Sequence, residues 1–393
     1  MSSGARRKLI FLVTEDWYFW SHRLPMAEAA RDAGFAVAVA TRVTAHGERI
    51  RAAGFALHPL NWRREDLGLL GNLAAVIEIY RLYRRERPLI VHHVALKPAL
   101  LGGLAALAAR VPGVVSMIAG AGYAGIEKRW HARLIGACLR LAWPPLLLRR
   151  RSRVIVQNDE DRRDLLRRRP GAAARVIAIR GSGVDLDVFR PMPEPPAPPV
   201  TAAYIGRMIA LKGVALLVEA QQALQREGVD LRLILAGAPD PGNPTSIDEA
   251  TLRSWARLPG ITWRGHLPDV RPIWAEAQIA ALASLGGEGL PKSLLEAASV
   301  ERAIVATDVP GTRDIARNGV NALLVPPGDV AALAAALKEL AGDAARRQRF
   351  GAAGRRLVEE QFSDRMVRSA TAAVYADLMK ELALAGCESG SKS

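Results

Sequence analysis

The sequence predicts an α/β protein made of two doubly wound, parallel-sheet domains. Three observations carry that prediction. The chain has 393 residues, more than one ordinary core holds and enough for two domains of about 150–200 residues each. Short apolar runs alternate with longer helical patterns in both halves, as buried parallel strands and their crossover helices do. Six prolines within residues 191–200 rule out helix or central strand there and predict an extended, semi-rigid linker.

Taken in order, the first half offers strand-like runs at 9–13, 36–40, 89–92, 114–117, 154–157 and 176–179. The second half repeats the pattern at 201–205, 232–236, 261–264, 279–283, 303–306 and 322–325. The domains are therefore read as 1–190 and 201–362, with 191–200 as linker. A final helix over 363–385 follows, with a small polar tail, 386–393, expected to fray. Ligands of open α/β sheets sit beyond the carboxyl ends of the strands, so chemistry is expected in a cleft between the two domains.

Composition narrows the class. Half the residues are apolar and 24% charged, as in a soluble globular protein. Cys138 and Cys387 are the only cysteines and lack neighbours at metal-ligand spacing, which supports neither a disulfide framework nor a zinc site. The apolar run 9–13 is too short for a signal-peptide core and is followed by Glu15 and Asp16. The longer run 99–119, broken by Arg110 and Pro112, reads as a buried helix and strand. A cytoplasmic location is expected.

Charge is uneven. Residues 1–190 hold 32 Lys and Arg against 16 Asp and Glu, a net +16, whereas 191–393 is close to neutral at −1. The basic half suits a polyanionic partner. Aromatic residues are only 5% of the chain and no recognition-helix or RNA-binding signature is present, so nucleic acid is not the expected partner. Residues 128–153 point instead to an anionic membrane surface: Trp130, Leu134, Cys138 and Leu141 share one helical face and Arg129, Arg133 and Arg140 another. Peripheral attachment at the inner face of the cytoplasmic membrane follows.

The chemistry is concentrated in the second half. In Glu288-Gly-Leu-Pro-Lys-Ser-Leu-Leu-Glu296, Pro291 can open a helix, so two carboxylates and a helix N-terminus can meet one ligand. Carboxylates accept hydrogen bonds from sugar hydroxyls, and the helix end suits a phosphate. Gly206 follows the first strand of this half, and Arg207 and Lys212 stand close behind it, where a guanidinium fork and an ammonium can neutralise a leaving diphosphate.

These motifs, with Gly237, Gly265-His266, Pro310-Gly311 and Val325-Pro-Pro-Gly-Asp329, resemble glycosyltransferase family 4, retaining enzymes of the two-domain GT-B fold. Gly181-Ser-Gly-Val-Asp185 is similar to the loop that ends the first domain of such enzymes. The resemblance implies a fold of two facing Rossmann-like domains, with a C-terminal helix packing back towards the first. It implies that Arg207 and Lys212 bind the nucleotide diphosphate, with no divalent metal or other cofactor required. Glu296 would hold the ribose hydroxyls. Glu288 with Gly289 and Leu290 would hold the donor hexose beside Pro291, and Arg264, Gly265, His266 and Leu267 would pack the base. Departures are Glu301-Arg-Ala303 in place of Gly-x-Pro, Asp314 in place of Glu, and Ala322 in place of Gly.

The first half, with Thr14-Glu-Asp-Trp-Tyr-Phe-Trp-Ser-His-Arg-Leu-Pro25 and Val91-His-His-Val-Ala-Leu-Lys-Pro98, is similar to the subgroup that extends saccharides on polyprenyl diphosphate in surface-polysaccharide assembly. That likeness makes His22, His92 or His93 an acceptor-side group and Arg23 and Lys97 phosphate contacts. Asp16, or equally Glu15, would orient the attacking hydroxyl, and Gly120 and Gly122 would shape a loop beside it. The expected reaction moves a hexosyl or N-acetylhexosaminyl unit, from a UDP donor, onto a polyprenyl-diphosphate-linked saccharide. A GDP-mannose donor and a sugar-nucleotide 2-epimerase of the same fold are the alternatives.

Overall fold

A computed structural model describes residues 7–62, 68–118, 149–286 and 288–390. The chain divides into two compact units, 1–182 with 365–393, and 183–364. In the first unit, β1 (Lys8–Glu15), β2 (Ala36–Arg42), β3 (Ala56–Pro59), β4 (Ile90–Val94), β5 (Gly113–Ile118), β6 (Ser152–Val156) and β7 (Val176–Ala178) form one parallel sheet in the order β3-β2-β1-β4-β5-β6-β7. Residues such as Leu9, Phe11, Val91 and Val115 are fully buried, because helices on both faces demand continuous apolar runs. The strand missed by sequence reading is β3. It carries little apolar signal and lies at the sheet edge, where Pro59 need not supply a ladder donor.

The apolar stretch from 99 to 119 resolves as expected into the end of the helix Leu96–Ala108 and then β5. Among the described residues no helix is long and apolar enough to cross a membrane. The last helix, Asp364–Gly390, packs from Arg365 onward with the first unit. Val367, Val374, Tyr375 and Leu378 join Leu9 and Phe11 in one core. Buried Arg153 is held by Asp377 at 2.6 Å and Glu381 at 3.0 Å. The segment expected to fray from 386 is helical as far as Gly390.

The second unit repeats the plan with β8 (Val200–Ile205), β9 (Leu231–Ala236), β10 (Ile261–Trp263), β11 (Ile279–Leu282), β12 (Ala303–Thr307) and β13 (Ala322–Val325), ordered β10-β9-β8-β11-β12-β13. Its core is a single cluster running through all six strands. In each sheet the chain order reverses beside the first strand, so the switch points lie between β1 and β4 and between β8 and β11. Ligands of such sheets bind at these points.

The proline-rich segment, read from sequence as the linker, lies inside the second unit instead. Three long side chains strap it down. Arg302, 1% exposed, donates to the carbonyls of Met192 and Pro193 at 2.9 Å each and to that of Trp274 at 2.9 Å. Gln278 reaches Pro195 and Pro196 at 3.2 and 3.3 Å, and Arg347 pairs with Glu194 at 2.5 Å. Prolines leave carbonyls without partnering N–H groups of their own, so buried donors must come from elsewhere.

The departure at Glu301, next to the strap's Arg302, has no explanation in the structure. Glu301 has φ +63°, the left-handed region in which the resemblance places a glycine, and its neighbour Arg302 serves the strap. A non-glycine residue there costs about 1–2 kcal/mol. Replacing Glu301 by Gly is expected to stabilise the protein by about 1 kcal/mol, read as a rise in the midpoint of thermal unfolding. A lower midpoint would show that the side chain contributes more than its backbone conformation costs.

Candidate donor site in the second unit

Four loops leave the carboxyl ends of the strands around the β8–β11 switch point, and backbone hydrogen bonds tie them together. Gly206 N–H donates to Ala236 at 3.0 Å, Gly237 N–H to Gly265 at 2.7 Å, and Leu285 N–H to Leu211 at 2.9 Å. Three glycines permit close approaches, and a Cβ on Gly237 would lie 1.8 Å from the Gly206 carbonyl. A Cβ on Gly213, at φ +66°, would lie 1.9 Å from the Ala283 carbonyl, and one on Gly311, at φ +80°, would lie 1.9 Å from that of Gly289. Only glycine lets the Lys212 loop press on the end of β11 and the Glu288 loop be backed from behind.

The catalytic candidates meet through this construction. Lys212 Nζ lies 2.5 Å from Glu288 Oε1. Glu288 is buried, and the Ser284 hydroxyl also donates to its Oε1. Thr307 Oγ1 fixes the next layer by donating to the Ser284 carbonyl at 2.6 Å. Arg207 Nη1 lies 2.6 Å from Asp240 Oδ2, with its side chain 39% exposed. The buried Tyr204 hydroxyl donates to the Arg207 carbonyl at 2.7 Å, setting the turn from which the guanidinium projects. Both cations are thus held at the sheet mouth by carboxylates and remain reachable from solvent.

Glu296 differs from Glu288. It sits in the helix Lys292–Ser299, buried, with Lys292 Nζ at 3.9 Å as its ion-pair contact. No hydrogen bond to its carboxylate is present among the described residues. Burial pushes its carboxyl up to about 7, with Lys292 opposing and Asp269 adding to the rise. A buried acceptor without donors is suited to ligand hydroxyls.

A pH prediction follows. Hydroxyl donors favour the ionised carboxylate, so affinity for a UDP-hexose should rise about tenfold from pH 6 to pH 8 and level off above. The sign for stability is opposite: the unfolded chain ionises near the ordinary value of 4.5 and the folded one near 7, so stability present at low pH declines as pH climbs through that window. Calorimetry on wild type and Glu296→Gln checks both, since the variant should show a flat profile.

The remaining second-unit candidates are arranged around these groups. Pro291 is the residue before the helix, one position earlier than sequence reading placed it, and its carbonyl accepts from Leu294 and Leu295. Leu290 is buried and Gly289 half-buried. Arg264 is exposed and pairs with Glu276 at 2.8 Å. Gly265 takes φ +66°, His266 is exposed and Leu267 half-buried, a rim open to a planar base. Sequence reading missed Asp240, Ser284 and Thr307. Asp240 had one available signal, a carboxylate in a proline-flanked turn after a strand.

The first unit treats its candidates differently. Asp16 is fully buried, and its oxygens accept from the N–H groups of Trp17, Thr44 and His46 and from the Thr44 hydroxyl. Burial raises its carboxyl, but the bonds from Thr44, His46 and Trp17 outweigh that and hold it below its ordinary value. It organises a loop, which corrects its reading as the group orienting an acceptor. His92 and His93 are likewise corrected. On a strand buried on both faces, successive side chains enter opposite cores: His92 Nδ1 meets Tyr375 at 2.7 Å and stacks on Phe11, and His93 Nε2 meets Tyr83 at 3.1 Å. Burial lowers both, His93 to about 3, so they are neutral packing groups.

Arg23 is also fully enclosed, donating to Tyr18 at 2.9 Å. His22, against Ser21 and Tyr18, and Lys97, at the start of the helix after β4, are half-buried and reachable. Gly120, Gly122 and residues 128–148 of the basic amphipathic stretch lie outside the described residues. Of its end, Arg149 donates to the Val111 carbonyl at 3.0 Å and Arg153 is buried in its acidic pair.

Two parallel-sheet α/β units with cations and carboxylates at a switch point define the GT-B class, and comparison with known proteins agrees. The model for "Glycosyl transferases group 1" matches residues 199–343 and that for "Glycosyl transferase 4-like" matches residues 8–143. Among curated relatives, alpha-maltose-1-phosphate synthase of Mycolicibacterium smegmatis is 28% identical over 351 residues, covering 83% of this chain and 88% of that protein. The capsular polysaccharide biosynthesis glycosyltransferase CapM of Staphylococcus aureus is 26% identical over 178 residues, 45% of this chain and 46% of that relative's length. Sucrose-phosphate synthase of Thermosynechococcus elongatus superposes with a TM-score of 0.78 at 20% identity, covering 95% of this chain and all of that one. HepE of Anabaena, solved in complex with UDP, gives 0.72 at 16% identity over 94% of this chain and all of that one. The protein is a glycosyltransferase of the GT-B type.

Proposed function

We propose that this enzyme is a retaining glycosyltransferase that moves a hexosyl or N-acetylhexosaminyl unit from a UDP-sugar to a polyprenyl-diphosphate-linked saccharide at the cytoplasmic membrane face. The observation that carries the donor half is the second-unit site itself: Lys212 on Glu288, Arg207 on Asp240, and Glu296 buried with no hydrogen-bond donor among the described residues. As the sugar–phosphate bond breaks, charge builds on the leaving diphosphate, and the two cations stabilise it where it develops. Glu288, held by Ser284, faces the hexose hydroxyls. Attack on the donor face from which the diphosphate departs retains the anomeric configuration.

A uridine donor is favoured by HepE, whose structures hold UDP and UDP-glucose. The polysaccharide setting is favoured by CapM and by the first-half motifs. Charge neutralisation by two side chains makes a divalent metal unnecessary in this reading. Incubation with UDP-hexoses and a polyprenyl-diphosphate-linked saccharide is expected to yield an acceptor longer by one sugar plus UDP, with turnover unchanged by a metal chelator. Conversion of the donor sugar without an acceptor would establish an epimerase, and loss of turnover on chelation would remove the two-cation account.

A further inference from the structure

The helix Leu69–Glu86 turns one continuous face outward. Leu70, Leu73 and Ile77, 82, 56 and 41% exposed, lead along that face into exposed Arg81, Arg84 and Arg85. Their spacing of three and four residues keeps them in one stripe. The opposite face supplies Ala75, Ile79, Leu82 and Tyr83 to the core, so folding has no use for the outer leucines. The helix Leu96–Ala108, packed alongside on the same side of the sheet, adds Leu104 and Leu107 at 49 and 55% exposure. Apolar side chains exposed together on neighbouring helices mark an interaction surface.

We propose that this two-helix face docks the enzyme on an anionic lipid bilayer, with Leu70, Leu73 and Ile77 below the headgroups and Arg81, Arg84 and Arg85 on lipid phosphates. Charge selects this occupant: residues 1–190 carry a net +16, and juxtaposed arginines add to apolar insertion at an acidic surface. A neutral protein partner would use the leucines and leave the arginines idle. The proposal rests on the reading that the acceptor is lipid-linked, and it assigns the membrane contact to residues other than those of the 128–153 stretch.

The test is sedimentation of the full-length protein with phosphatidylcholine liposomes, with and without phosphatidylglycerol, for wild type and the triple variant Leu70→Ser, Leu73→Ser, Ile77→Ser. Wild type should bind the acidic liposomes and not the neutral ones. The triple variant should bind them at least tenfold more weakly while keeping its affinity for UDP-hexose, which certifies its fold. Arg81→Glu with Arg84→Glu should abolish the salt-sensitive part of binding. Equal sedimentation of wild type and triple variant would overturn the proposal, as would a wild-type dimer in solution that the triple variant dissolves while acidic liposomes capture neither. Failure of the lipid-linked acceptor reading shows separately, as sedimentation without sugar transfer to that acceptor.

Discussion

Lys212→Ala and Arg207→Ala are each expected to lower turnover by about 10²–10³-fold, the loss seen when one donor to a developing negative charge is removed. The two should differ in a second respect. Lys212 is paired with a carboxylate whose side chain is 6% exposed, so its removal strands a buried charge, and Lys212→Ala should also unfold more readily. Adding Glu288→Gln should restore that stability without restoring turnover. Arg207 pairs at a more open position, 39% exposed, and its loss should leave stability nearly unchanged. Steady-state kinetics with thermal unfolding of the three variants separates these outcomes. Full turnover in either single variant would remove that residue from diphosphate stabilisation.

Arg302→Ala is expected to destabilise the protein by about 4 kcal/mol, the upper end for a single substitution. Its guanidinium donates to the carbonyls of Met192, Pro193, Trp274 and Val300, which truncation would leave without those donors in the interior. The prolines cannot substitute for it, having no N–H to turn inward. Denaturant unfolding reads the effect, and a loss below about 1 kcal/mol, the net worth of one ordinary hydrogen bond, would show that water replaces the strap.

The grouping of the second-unit candidates was legible in sequence because these residues follow strand ends at short, regular distances. Gly206-Arg207 follows β8 and Glu288 follows β11, and topology alone brings such loops to a switch point. Asp240 carried only the weak signal of its proline-flanked turn and Ser284 none, since Asp240 matters through Arg207, 33 residues away, and Ser284 through the Glu288–Lys212 pair. His92 and His93 misled for a related reason. Polar residues inside an apolar run attract a functional reading, but their partners Tyr83 and Tyr375 lie on helices whose contact with β4 no local pattern announces. The proline-rich segment was read as an extended, semi-rigid linker; its anchors Gln278, Arg302 and Arg347 are scattered over the second half, so no local pattern announces the strap.

The most direct measurement is a crystal structure of the enzyme with UDP. Nucleotide should lie at the β8–β11 switch point, with ribose hydroxyls on Glu296, diphosphate oxygens on Lys212 Nζ, and Arg207 released from Asp240 to reach them. Nucleotide bound elsewhere, with Arg207 and Lys212 still on Asp240 and Glu288, would contradict the assignment of this site.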